Sequence, residues 1–194
     1  MFFMILAAVI SAFIAGNALN LRRELNESIQ EEQTREITGA VLRTSFGNIE
    51  IVFNTPAVGA KDNFIKLVRQ HFYDGLRFHR VVKDFAIQTG DPLSRDLSAA
   101  AKWGTGGPGY TLPQELSSTD KMLKGSVIMA NDNDKSHGSQ FMILVADTPW
   151  LIEHNTQFAT VTKGIEIAET ISNLDSGVTG IPAQEVRLLD IQLK

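Results

Sequence analysis

The chain has 194 residues, a formal net charge of −4, an isoelectric point near 5.6 and 43% apolar residues, the profile of an ordinary globular chain with one substantial core. The weak acidity and the lack of a basic stripe exclude an electrostatic footprint for nucleic acid. With no cysteine in the sequence, disulfides, thiol catalysis and thiolate metal sites are excluded.

Met1 to Ala15 carry no charged side chain and include three Phe, three Ile and four Ala. Such a stretch predicts an apolar N-terminal helix, with residues 1–19 acting as a signal peptide or a membrane anchor. Gly16-Asn17-Ala18 offers a small-residue cleavage site, while Phe2 to Leu21 just reaches the roughly 20 residues that span a bilayer. Arg22 and Arg23 favour a cytoplasmic flank, but the expectation is an extracytoplasmic domain, secreted or anchored. Residues 20–36 follow as a charged spacer, and Leu21, Leu25 and Ile29 fall at helical spacing within it.

From residue 37 the texture becomes that of a compact domain, 37–194. The run 40–54 alternates on either side of Phe46-Gly47-Asn48 and predicts a hairpin. Phe64, Leu67, Val68 and Phe72 share one helical face, and the helix is expected to stop near Tyr73-Asp74-Gly75. Residues 76–90 read as strands interrupted at Lys83-Asp84, and 92–120 as loop around the glycine-rich "WGTGGPGY". "GSVIMAND" and "SQFMILVAD" predict strands joined by a polar connection from Asp132 to Gly138. A short strand at "QFATVTKG", a second amphipathic helix at "GIEIAETISNL" and a terminal strand at "AQEVRLLDIQLK" complete the chain. Many short strands with two helices indicate a mainly β, closed or nearly closed architecture.

Several chemistries fail on spacing. After Gly109 comes Tyr110-Thr111-Leu112-Pro113, not the Lys-Ser or Lys-Thr of a phosphate loop. "DNDKSHG" has His137 where a calcium loop needs glycine and Ile143 where it needs Glu. His71, His79, His137 and His154 form no short ligand spacing, so no metal site is expected, and G-x-S-x-G is absent. The residue without an obvious reason is Arg80, in the otherwise apolar "FHRVVKDFAIQTGD".

That stretch, with "DNFIKL" at 62–67, "GTGGPGY" at 104–110, "MANDNDKSHGSQFMI" at 129–143 and "TPWL" at 148–151, resembles the cyclophilin family of peptidyl-prolyl cis-trans isomerases. The resemblance spans about residues 38–194. It implies a closed eight-stranded antiparallel barrel capped by two α-helices, no cofactor, and Pro-containing polypeptides as substrates. By the same resemblance Arg80 and Gln88 are the catalytic pair. Phe85, Met129, Phe141 and Leu151 form the proline pocket. Ala130 and Asn131 pair with the peptide backbone, and Gln140 and Trp150 stand at the groove rim. Trp150 also matches a position that favours cyclosporin-like ligands.

The sequence departs from the family pattern in places. Asn155 occupies the place of a pocket His, Met142 that of a pocket Phe, and Ala86 that of a larger apolar residue. The loop from Leu93 to Trp103 is longer than in compact relatives. The expected function is X-Pro isomerisation during protein folding. The alternative is a proline-peptide-binding or chaperone module of the same fold with little turnover.

Overall fold

The computed structural model describes residues 20–25, 36–53, 56–132 and 135–194. Residues 20–25 are helical. The expected apolar helix, signal peptide or anchor at 1–19 lies outside the described residues, and among those described no helix is long and apolar enough to cross a membrane. The chain divides into two units, Met1–Ile37 and Thr38–Lys194. The second carries everything that follows.

Strands β1 (Gly39–Thr44) and β2 (Gly47–Phe53) form the predicted hairpin, in register from Gly39 opposite Val52 to Thr44 opposite Gly47. Helix α1 (Val58–Arg69) buries Ala60, Phe64, Leu67 and Val68, one stripe at helical spacing. It ends a turn earlier than expected, and Lys66 and Arg69 in its last turn complement the helix dipole. Its first turn has no local cap. Instead the Glu115 carboxylate accepts from the Gly59 and Ala60 amides at 2.9 and 2.7 Å, satisfying two donors that a helix start leaves open.

The remaining strands are β3 (Leu76–Arg77), β4 (Arg80–Val82), β5 (Ala86–Thr89), β6 (Leu112–Pro113), β7 (Ser126–Asp132), β8 (Lys135–Leu144), β9 (Gln157–Lys163) and β10 (Arg187–Leu193). Helix α2 (Ile165–Ser172) lies between the last two and buries Ala168, Ile171 and Ser172. The strands form one ten-stranded antiparallel sheet in the order β3-β10-β1-β2-β9-β7-β8-β5-β4, with β6 paired to β8. This corrects the expected closed eight-stranded barrel: the ladder is an open path, and no pairing joins β3 to β4. Those two end strands are nevertheless separated in sequence only by Phe78 and His79, so the sheet curls until its edges nearly meet. The polar connection expected at 132–138 is also shorter, because β8 already begins at Lys135.

Cross-strand partners share a face of the sheet, and register therefore sorts the side chains. Arg80 lies opposite Gln88, Gln88 opposite Met142, and Met142 opposite Ile128. This row faces away from the main core. One residue along, Thr89, Phe141 and Met129 form the neighbouring row, facing inward. Inside, Phe64 stands 5.2 Å from Tyr73, 5.3 Å from Phe158, 5.6 Å from Phe141 and 5.8 Å from Phe53, measured between ring centroids. On the other face a smaller cluster joins Ala86, Met122, Ile128, Met142 and Leu144, with Phe85, Leu151 and Ile152 packed against it.

Candidate active site

Arg80 is half-buried on β4, and Gly180 packs against its stem so closely that an added Cβ would sit 3.0 Å from the Arg80 Cγ. Its Nη1 donates to Gln88 Oε1 over a long 3.5 Å. Gln88 Nε2 donates to Gln140 Oε1 at 2.8 Å. Gln140 Nε2 in turn donates to the carbonyls of Gly104 and Gly106 at 2.9 and 2.8 Å. Each amide has its donor and acceptor ends committed, so the relay has one polarity and fixes where the guanidinium sits. Among the described residues no carboxylate pairs with Arg80.

The glycine loop is itself pinned. Asp91, fully buried, accepts from Leu93 N at 2.7 Å, Gly104 N at 2.5 Å and Gly106 N at 3.2 Å. The approach is so close that a Cβ at Gly106 would lie 2.1 Å from Asp91 Oδ1. The glycine-rich stretch is thus an anchored shelf for Gln140. Sequence reading missed Asp91 as the anchor. Its place beside Gly90, ahead of a Pro at a helical first turn, was the available signal.

The structure divides the other expected pocket residues. Phe85, Met142 and Leu151 come together in the outer cluster, on the face that carries Arg80 and Gln88. Met129 and Phe141 belong instead to the main core, behind that face. Ala130 is buried on β7. Asn131 donates to the His154 carbonyl, and buried Asn155 donates to the Met129 carbonyl at 3.1 Å, tying the turn after Leu151 to β7. Trp150 is 64% exposed at the edge. An apolar cluster with a directed cation on the same face is what a site needs to hold a proline ring and polarise its amide nitrogen without any nucleophile.

His79 is 3% exposed and neither ring nitrogen has a hydrogen-bond partner. Burial pushes its pKa down to about 4, against the pull of the Asp91 carboxylate and of the neighbouring Gln140 side chain and Arg77 backbone, neither of which is aligned for a full hydrogen bond. The unfolded chain therefore takes up a proton below its ordinary value of 6.5 while the folded chain resists until about 4. Stability is complete above that ordinary value and falls as pH drops through this window. The loss from His79 should reach about 2.5 kcal/mol near pH 4.5. Urea unfolding at neutral pH and at about pH 4.5 checks it: His79→Gln should shed most of the acid sensitivity, and an unchanged difference would refute the assignment.

A family model described as cyclophilin type peptidyl-prolyl cis-trans isomerase/CLD matches residues 40–193. The peptidyl-prolyl cis-trans isomerase of Helicobacter pylori is 36% identical over 149 residues, covering 76% of this chain and 84% of that protein. Peptidyl-prolyl cis-trans isomerase B of Bacillus subtilis is 38% identical over 140 residues, covering 71% and 92%. Other relatives are much longer. The chain spans 27% of the Mus musculus peptidylprolyl isomerase domain and WD repeat-containing protein 1, at 33% identity over 177 residues and 89% of this chain. Among solved structures, a Cryptosporidium parvum cyclophilin type peptidyl-prolyl cis-trans isomerase matches with a TM-score of 0.73 and 26% identity, covering 82% of this chain and 98% of that one. The same protein in the presence of the dipeptide Ala-Pro matches with a TM-score of 0.72. The chain belongs to the cyclophilin-type peptidyl-prolyl cis-trans isomerase family.

Proposed function

We propose that this protein accelerates cis–trans exchange at X-Pro bonds of polypeptide chains. The observation that carries the reading is Arg80: a cation with no carboxylate partner among the described residues, held by Gln88 and Gln140 on the face that gathers Phe85, Met142 and Leu151. Rotation about the amide has a barrier of about 18–20 kcal/mol, because the nitrogen lone pair is delocalised into the carbonyl. In the twisted state that lone pair localises on nitrogen. A donor aimed there stabilises the twisted state over both planar ones.

Arg80 is that donor and Gln88 its positioning partner, with Gln88 also available to the substrate backbone. Phe85, Met142 and Leu151 grip the proline ring, and Asn155 closes the turn beside them. Ala130 and Asn131 offer backbone for the peptide and Trp150 stands at the rim, while the fully buried Gln140 holds Gln88. Met129 and Phe141 support the pocket from behind rather than touching the ring.

The test is two-dimensional exchange NMR on an Ala-Pro peptide with the full chain, alongside proline-limited refolding of a second protein. Catalysed exchange supports the reading. Peptide binding with unchanged exchange rates would favour a holding module instead. We further propose an extracytoplasmic domain, on the strength of the uncharged Met1 to Ala15 ahead of a charged 20–36. Cell fractionation with sequencing of the mature N-terminus decides it, and a wholly cytosolic chain with an intact start would sink it.

A further inference from the structure

Beside the proline-facing row lies a second recess, of about 300 Å³, near the lower end of small-ligand pockets. Its floor is His79, Arg80 and Gln88. One wall is Ala100, Ala101 and Trp103, from the long loop after Asp91. Gly104, Thr179 and Ile181 complete the lining. Phe85, Met142 and Leu151 line no part of it, so it is separate from the apolar recess while sharing Arg80 and Gln88 with it.

The loop wall is built and fixed. Two 3-10 turns, Pro92–Arg95 and Leu97–Lys102, are capped by Asp91 and Asp96. The Trp103 indole donates to the Leu93 and Asp96 carbonyls at 3.0 and 3.1 Å. Buried Arg77 donates to the Ser94 and Arg95 carbonyls at 2.5 and 2.7 Å, and its guanidinium lies 5.8 Å from the Trp103 ring centroid. A loop held at so many points presents its wall ready-made, so little ordering is lost when a ligand enters.

The lining also limits what fits. Arg80 supplies positive charge and no carboxylate answers it, so a lysine or arginine side chain is rejected. Ala100, Ala101, Trp103 and Ile181 ask for an apolar body. Arg80 and Gln88, which also line the recess, offer N–H donors to a hydrogen-bonding end.

We infer that this recess takes the side chain of a substrate residue flanking the X-Pro bond, one with an apolar body and a hydrogen-bond-accepting tip that Arg80 or Gln88 can meet, as in tyrosine or glutamine. The inference rests on the isomerase reading, and it makes the long loop a specificity device for that same site. Peptides with Tyr, Gln, Leu, Lys or Ala at each of the two positions on either side of Ala-Pro test it, by exchange NMR for turnover and by titration for Kd.

At one flanking position Tyr and Gln should exceed Ala by about tenfold in kcat/KM, the scale on which pocket contacts discriminate, with Lys at the bottom. Ala101→Trp and, independently, Ile181→Trp fill the recess. Each should abolish the preference while leaving turnover of the all-alanine peptide unchanged. A preference that survives both fillings, or no preference at any position, overturns the inference. Leu equal to Tyr and Gln overturns the hydrogen-bonding role of Arg80 and Gln88 in the recess. Turnover of the alanine peptide reports separately on the isomerase reading. Were it absent, the Kd ranking in wild type and the filled variants would still decide the recess.

Discussion

Arg80→Ala should lower kcat/KM for X-Pro exchange by about 10²–10³-fold, the loss seen when one preorganised transition-state donor is removed. The expectation follows from how little else at the site could replace it. Gln88 and Gln140 are neutral: one Gln88 N–H is given to Gln140 Oε1, and both N–H groups of Gln140 go to the Gly104 and Gly106 carbonyls. Neither can turn toward the prolyl nitrogen without abandoning a bond that holds the relay together. Arg80→Lys should recover only part of the rate, because an ammonium is a point charge without the planar fork that Gln88 orients. Peptide Kd should change far less than kcat, since the apolar grip of Phe85, Met142 and Leu151 is untouched. Exchange NMR on an Ala-Pro peptide measures both quantities, with thermal unfolding to show the variants are folded. An Arg80→Ala protein within twofold of wild type would remove the arginine from the mechanism.

The two helices and the first hairpin were legible because their periodicity is long enough to display: Ala60, Phe64, Leu67 and Val68 mark α1, and alternation marks β1 and β2. Arg80 and Gln88 stood out through the motif and because polar residues in an apolar run need a reason. The strand count was not legible. Leu76–Arg77 and Leu112–Pro113 are too short to show any period, and they pair with strands distant in sequence. Nor was the division between Phe141 and Met142. "FMILV" is buried on both faces, so hydropathy does not alternate there and only the register with Gln88 and Thr89 says which residue faces the groove. The Glu115 cap on α1 and the Asp91 clamp on the glycine shelf were hidden for another reason: each ties the chain to amides at positions that no spacing rule connects to it.

Phe64→Ala should cost about 3–5 kcal/mol of stability, the range for truncating a fully buried aromatic ring. Phe64 is 1% exposed and its ring meets those of Phe53, Tyr73, Phe141 and Phe158, so the space it leaves is bordered by four large groups. They are held by β2, the segment after α1, β8 and β9, and cannot all move inward together. The cavity therefore persists instead of collapsing, which places the cost toward the upper end. Trp150→Ala, by contrast, should stay within about 0.5 kcal/mol, because its side chain is mostly in water. Urea unfolding of the two variants measures the contrast, and a Phe64→Ala loss below about 1.5 kcal/mol would mean the core repacks. The damage should also reach the groove. On β8 the inward Phe141 is the direct neighbour of the outward Met142, so a ring cluster that loses its centre loosens the backbone carrying the proline pocket. Substrate Kd should weaken in Phe64→Ala, and the arginine relay should loosen with it, because Gln140 is the other β8 neighbour of Phe141.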